Sequence, residues 1–157
     1  MTSSQKPIRA LVVCYGNYCR SPMGEAVLRH IASERGIDIA VDSCGLNGNY
    51  GIDPDARTVM VCKKNNVPIS HQARRLKISD YTNFTHILAS DESNLRFINK
   101  KKPANTTAEI RLWGSYLDGE IIPDPYGGGK EEFNQVFQQC VAYSNAFLDE
   151  VTGNGTV

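Results

Sequence analysis

Two periodicities alternate along the chain. Residues 8–14 are a continuous apolar run, Ile8 to Cys14 interrupted only by Arg9, and read as a strand buried on both faces. Met23, Ala26, Val27, His30 and Ile31 then fall at helical spacing, which predicts a helix over 22–35 stopped by Gly36. Ile37, Ile39 and Val41 alternate, predicting a strand over 37–43 and a loop over 44–50. Asp53-Pro54 reads as a cap and first-turn proline for a helix ending near Asn65, followed by an irregular segment over 67–76. A strand over 84–90, a helix capped by Asp91 and ending near Lys101, a polar loop and a strand over 110–113 come next. A turn at Asp118-Gly119 leads to a long loop over 121–129. The last helix, 130–151, has Phe133, Phe137, Cys140, Val141, Ser144, Phe147 and Leu148 on one face, and residues 152–157 are expected to fray.

Strands alternating with helices predict an α/β domain with a parallel sheet covered on both faces and a right-handed first crossover. At 157 residues, one domain over 1–157 is expected.

The break between the first strand and the first helix holds the candidate chemistry: Cys14-Tyr15-Gly16-Asn17-Tyr18-Cys19-Arg20-Ser21-Pro22. A helix start leaves backbone N–H groups unpartnered and partly positive, an arrangement suited to an anion. Ser21 suits the N-cap and Pro22 the first helical position. Gly16 and Asn17 tolerate positive φ, so the loop can curl its amides inward. Arg20 adds a planar fork for two phosphate oxygens. A cysteine facing that field favours its thiolate, so Cys14 reads as a nucleophile that takes up a phosphoryl group. Residues 15–21 are then the phosphate cradle, and the Ser21 hydroxyl can donate to the Cys14 sulfur.

Composition narrows the partners. Lys plus Arg equals Asp plus Glu at 17 each, which disfavours a nucleic-acid or membrane-surface protein. Five cysteines form no secreted-scaffold pattern, and a reactive free thiol points to the reducing cytoplasm. Cys44, Cys62 and Cys140 read as packing residues. No Cys-x2-Cys pairing suggests a metal, and no Gly-Lys-Ser/Thr closes the loop as in nucleotide binders. No metal or cofactor is expected, nor any partner beyond the substrate; a monomer is expected.

Val13-Cys14-Tyr15-Gly16-Asn17-Tyr18-Cys19-Arg20-Ser21-Pro22 resembles the V-C-x-G-N-x-C-R-S-P signature of the low-molecular-weight protein tyrosine phosphatases. The resemblance continues over nearly the whole chain. It implies a flavodoxin-like three-layer fold with a four-stranded parallel sheet, and hydrolysis of phosphotyrosine proteins or small aryl phosphates through a phospho-cysteine. A proton donor for the leaving group is also needed. Composition does not single one out among the acidic residues, although Asp124 stands between two prolines in a stiff loop. The resemblance selects it, because Asp124-Pro125-Tyr126 matches the family's D-P-Y general-acid loop. It further implies that Ser43 and His71 tie down Asn17, and that Cys19 pairs reversibly with Cys14 under oxidation. Asp91-Glu92-Ser93-Asn94-Leu95 resembles a family segment that caps a helix near the loop.

The sequence departs from the family in its substrate walls. Tyr15 stands where Leu or Ile is usual, Asn49-Tyr50 where an aromatic wall is usual, and Gly127 where many members carry a second tyrosine. Tyr15, Tyr50 and Tyr126 are the candidates for an aromatic slot. Two other readings share the loop. An arsenate reductase needs a further closely spaced cysteine pair, which is missing here. A non-catalytic phosphotyrosine-binding module would have no need of Cys14, Arg20 and Asp124 together.

Overall fold

The computed structural model describes residues 7–153. Its centre is a parallel sheet of four strands: β1 Ile8–Cys14, β2 Ile39–Gly45, β3 His86–Ala89 and β4 Glu109–Leu112. Their spatial order is β2-β1-β3-β4, the flavodoxin-like arrangement. The order reverses between β1 and β3, and at such a switch point the carboxyl ends of the strands open onto a crevice.

Helices cover both faces. On one side lie α1 Arg20–Glu34, α2 Ala56–Lys64 and α5 Lys130–Thr152. On the other lie the short α3 Asp80–Asn83 and α4 Glu92–Lys100. A 3₁₀ turn, Trp113–Tyr116, follows β4. β1 alternates between the two cores, as a two-sided strand must. Ala10 and Val12 join Met23, Val27, Leu28, Trp113, Phe133 and Phe137 under α1 and α5. Leu11 and Val13 join Tyr81, Ile87 and Ile98 under α3 and α4. The expected stripe of α5 is the buried face of that helix, with Val136 and Tyr143 added to it and Val141 half-buried.

Several boundaries differ from the sequence reading, each for a local reason. β2 starts at Ile39 rather than residue 37 because the Ile37 N–H is still committed to α1, donating to Ala32 O at 2.8 Å across the left-handed Gly36. It runs on to Gly45 because Cys14 pairs with Gly45 in register with β1. α2 is capped by Asp55, not Asp53: the Asp55 carboxylate accepts from Arg57 N at 2.8 Å. Asp53 instead accepts from the Gln72 side chain. The left-handed Asn66 ends that turn. α3 and the 3₁₀ turn, too short to leave a periodic signal, were not foreseen. Asp91 caps α4 as expected, accepting from Asn94 N at 2.8 Å. Of the expected fraying segment, Thr152 is still helical and Gly153 caps α5 in the left-handed region, while residues 154–157 lie outside the described residues.

Candidate active site

The loop over residues 15–19 leaves the carboxyl end of β1, one of the two central strands that flank the switch point. α1 begins at Arg20, two residues before the expected start, with Cys19 in the cap position and no side-chain cap. Ser21 is therefore not the N-cap. It sits inside the first turn, and Pro22 follows in that turn, where a missing N–H leaves no intrahelical bond unmade. Among the described residues, none of the backbone N–H groups of residues 15–19 donates to a protein acceptor. Five amides in succession, next to a helix start, thus stand free beside Cys14.

The Ser21 hydroxyl is released from capping for another task. Its Oγ lies 3.0 Å from Cys14 Sγ, and both side chains are buried. Asn17, in the left-handed region at φ 54, shapes the loop. Its side chain is fully committed: Nδ2 donates to Ser21 Oγ at 2.8 Å and to Ser43 Oγ at 3.1 Å. Its Oδ1 accepts from Arg74 N at 2.9 Å and lies 2.7 Å from His71 Nε2. These four contacts fix the amide's orientation.

A buried carboxylate anchors this web from behind. Glu25 accepts from Ser43 Oγ at 2.6 Å and from Arg29 at 2.6 Å, and lies 3.0 Å from His71 Nδ1. Burial works to raise the Glu25 carboxyl, but hydrogen bonds from His71, Ser43 and Arg29 outweigh it and hold the group below the usual range. Ser43 and His71 thus both stand against Asn17. Glu25 was missed, because a single acid in the middle of a helix has no sequence signal. Glu25, Asp42 and His71 also offer ligand atoms within 4.8 Å of one another. Those carboxylates are already matched by Arg29 and Arg74, so the grouping reads as a hydrogen-bonded support.

Arg20 is buried on the opposite side of the loop. Its Nη1 donates to Asp91 Oδ2 at 2.8 Å and to Ile122 O at 2.9 Å. Asp91 therefore both caps α4 and holds the guanidinium, and only the first role was legible in sequence. Ile122 is itself pinned, its N–H donating to Ser90 O at 2.8 Å. The loop that carries Asp124 is in this way tied to the phosphate loop through Arg20. A second tie comes from α2: Arg57 donates to Tyr126 O at 3.0 Å and Gly128 O at 2.9 Å, while its guanidinium also grips Asp55.

These elements enclose a cleft of about 200 Å³ lined by Cys14, Tyr15, Gly16, Tyr18, Cys19, Arg20, Asp124 and Tyr126. Asp124 is exposed at its mouth, its Oδ1 accepting from Tyr126 N at 3.1 Å. The rings of Tyr18 and Tyr126 stand 6.0 Å apart at 54°, forming one wall. Tyr15 contributes another, held by a 2.7 Å hydrogen bond from Asn47. The third expected wall residue, Tyr50, is not among the lining residues: its ring lies against the Arg75 guanidinium and faces a neighbouring groove. Tyr18, expected only in the phosphate cradle, also lines the cleft with its ring.

All five cysteines are free and buried. Cys19 lines the same cleft as Cys14, with its sulfur 3.8 Å from Asp55 Oδ2. Burial, reinforced by Asp55, pushes the Cys19 thiol up to about 12. Cys62 and Cys140 lie in the α1–α5 core and Cys44 in the other. Among the described residues no helix is long and apolar enough to cross a membrane.

Residues 9–156 match the family model described as low molecular weight phosphotyrosine protein phosphatase. A protein of that name from Schizosaccharomyces pombe is 42% identical over 153 residues, spanning 93% of this chain and 98% of the relative. The Homo sapiens protein of the same name is 42% identical over 147 residues, spanning 89% and 93%. Among solved structures, DARP, a drosophila arginine phosphatase, superposes with a TM-score of 0.86 at 35% identity, covering 92% of this chain and 98% of its own.

Proposed function

The chain belongs to the low molecular weight phosphotyrosine protein phosphatases, a family of hydrolases, and from that premise we propose how it works and on what. Residues 1–157 act as one phosphatase domain, a cytoplasmic monomer that hydrolyses phosphotyrosine in proteins and small aryl phosphates without metal or cofactor. The observation that supports this reading is that Cys14, Arg20 and Asp124 line one narrow cleft together with the loop residues Tyr15, Gly16, Tyr18 and Cys19, whose backbone N–H groups have no protein acceptor among the described residues.

In the first step the Cys14 sulfur attacks phosphorus in line. The S–P bond forms as the P–O bond to the phenol breaks, and Asp124 gives its proton to the departing oxygen. The amides of residues 15–19, with Arg20 and Ser21, hold the equatorial oxygens as charge spreads over them. In the second step the Asp124 carboxylate takes a proton from water, which attacks phosphorus. The S–P bond breaks, and the Ser21 hydroxyl donates to the returning thiolate. Ser43 and His71 hold Asn17, and so the loop, in the shape this requires. Tyr15, Tyr18 and Tyr126 sandwich the phenyl ring. Under peroxide, Cys14 is oxidised to a sulfenic acid; the Cys19 sulfur then displaces its oxygen as water and forms a reducible disulfide.

The test is metal-free turnover of p-nitrophenyl phosphate, phenyl phosphate, a phosphotyrosyl peptide, phosphoserine and phosphoarginine. Aryl phosphates are the expected substrates, with phosphoarginine the competitor raised by the likeness to DARP. Cys14→Ser is expected to lower turnover by roughly 10⁴-fold or more. Asp124→Asn is expected to lower it by about 10²-fold for phenyl phosphate and by less for p-nitrophenyl phosphate, whose anion leaves without a proton. Full turnover by Cys14→Ser would end the proposal.

A further inference from the structure

Beside the catalytic cleft lies a second groove of about 360 Å³, lined by the loop after β2, the segment 75–78, Tyr81 of α3, Phe97 of α4 and Lys101. Its lining combines two features. Tyr50, Ile78 and Phe97 are 65%, 62% and 38% exposed, a cluster of large apolar side chains facing solvent. Arg75, Lys77 and Lys101 stand around them, and no acidic residue lines the groove. Among the described residues none of these three cations is paired with a carboxylate. In a chain whose formal charge sums to zero, this is a local excess of positive charge over apolar surface.

Two of the cations are held in place. Arg75 donates to Gly48 O at 2.9 Å and lies against the Tyr50 ring, and the Lys101 ammonium sits 5.8 Å from the Phe97 ring centre. The groove also abuts the cleft. Leu46, which lines the groove, donates its N–H to Tyr15 O at 2.8 Å, and Tyr15 lines the cleft. A chain leaving the cleft past Tyr15 therefore meets the groove next. An extended chain advances ~3.3 Å per residue, so a groove that abuts the cleft is reached a few positions from the residue held there.

From this adjacency and charge complementarity we infer that the groove is a docking site for the phosphoprotein substrate itself, and that it selects segments carrying acidic residues and one large apolar residue three to five positions from the phosphotyrosine. The inference rests on the hydrolytic reading of the cleft for its substrate, but not for its binding measurement. The apolar side chain packs among Tyr50, Ile78 and Phe97, and the carboxylates meet Lys77 and Lys101. This assigns Tyr50 to the recognition of flanking residues instead of the phenyl ring.

The experiment compares kcat/KM for two phosphotyrosyl peptides, one with two aspartates and a leucine at those positions and one with serines there, and for p-nitrophenyl phosphate. Wild-type protein is expected to favour the acidic-apolar peptide by about tenfold at low salt, less at high salt. The exposed double variant Lys77→Glu/Lys101→Glu is expected to lose that preference, and Ile78→Ser to lose part of it. Turnover of p-nitrophenyl phosphate is expected to stay unchanged in both. Equal use of the two peptides by the wild type overturns the inference, as does an equal loss on peptide and p-nitrophenyl phosphate. Fluorescence anisotropy of the unphosphorylated acidic-apolar peptide separates the two readings. Should the wild type fail to hydrolyse any aryl phosphate, the hydrolytic reading falls, while weaker peptide binding by the double variant still upholds the groove and unaltered binding rejects it. Vesicles of anionic phospholipid form the last arm: binding abolished by the double variant, with peptide preference intact, would assign the groove to a membrane surface and overturn the inference.

Discussion

Replacing Gly45 by alanine places a methyl group where the fold has left room for none. Gly45 ends β2 directly opposite Cys14. A Cβ built there meets Asn17 N at 2.8 Å, Gly16 C at 2.9 Å and Tyr15 O at 2.9 Å, all backbone atoms of the phosphate loop. Ordinary contact begins near 3.4 Å, so about 0.6 Å must be found on one side or the other. The strand cannot supply it by sliding away. On its far side Gly45 N donates to Arg74 O and Gly45 O accepts from Leu76 N, each at 2.8 Å. The loop therefore gives way, and with it the amides beside Cys14. Overpacking of this kind costs about 1–3 kcal/mol, which for a domain of this size lowers the melting temperature by roughly 2–12 °C. Because catalysis depends on amide positions to a fraction of an ångström, kcat/KM for p-nitrophenyl phosphate is expected to fall by about 10–100-fold in the folded variant. The assay pairs steady-state kinetics with thermal unfolding and circular dichroism. A variant that melts lower but keeps wild-type kcat/KM would show that the strand, and not the loop, absorbs the methyl, and would refute the reasoning.

Asp91→Asn keeps the α4 cap but removes the carboxylate that Arg20 grips, so it is expected to weaken inorganic phosphate inhibition and kcat/KM by about tenfold with little change in melting temperature. The Glu25 carboxyl is held low in the folded protein, so the unfolded chain binds the proton first on acidification. Its stabilisation is therefore complete above the ordinary glutamate range near pH 4.5 and is lost as pH falls through the depressed value. Glu25→Gln is expected to destabilise the protein at neutral pH and to flatten the acid limb of its melting-temperature profile; an unchanged acid limb would contradict the assignment. Cys19→Ala is expected to turn over substrate normally before oxidation but, after peroxide, to recover less activity on adding dithiothreitol than the wild type does, which is read by residual p-nitrophenyl phosphate turnover. Arg57→Ala frees the segment carrying Asp124 from α2, and is expected to lower kcat more for phenyl phosphate than for p-nitrophenyl phosphate, since only the former needs a placed proton.

Local signals in the chain determined the order of the four strands and of α1, α2, α4 and α5, the two-sided burial of β1, the core face of α5 and the cap of α4. Each arises from residues a few positions apart, whose spacing alone decides which face they share. The phosphate loop was legible for the same reason: nucleophile, positive-φ residue, arginine and serine all fall within residues 14–21. Asp124 was not legible from spacing, and only the family resemblance drew attention to it. Tertiary structure decided what spacing cannot encode. It moved Ser21 from capping to the Cys14 sulfur, because α1 begins at Arg20 and so places Ser21 inside the first turn. It brought Glu25 behind His71 and Asp91 against Arg20 from separate elements, and it turned Tyr50 from the cleft toward Arg75. Those partners lie from 46 to 71 positions apart in the chain or, for Tyr50, across a loop whose course is set by backbone hydrogen bonds to Tyr15 and Ala73. Contacts of that kind exist only once the sheet has brought its strand ends to one edge, so no reading of neighbouring residues could contain them.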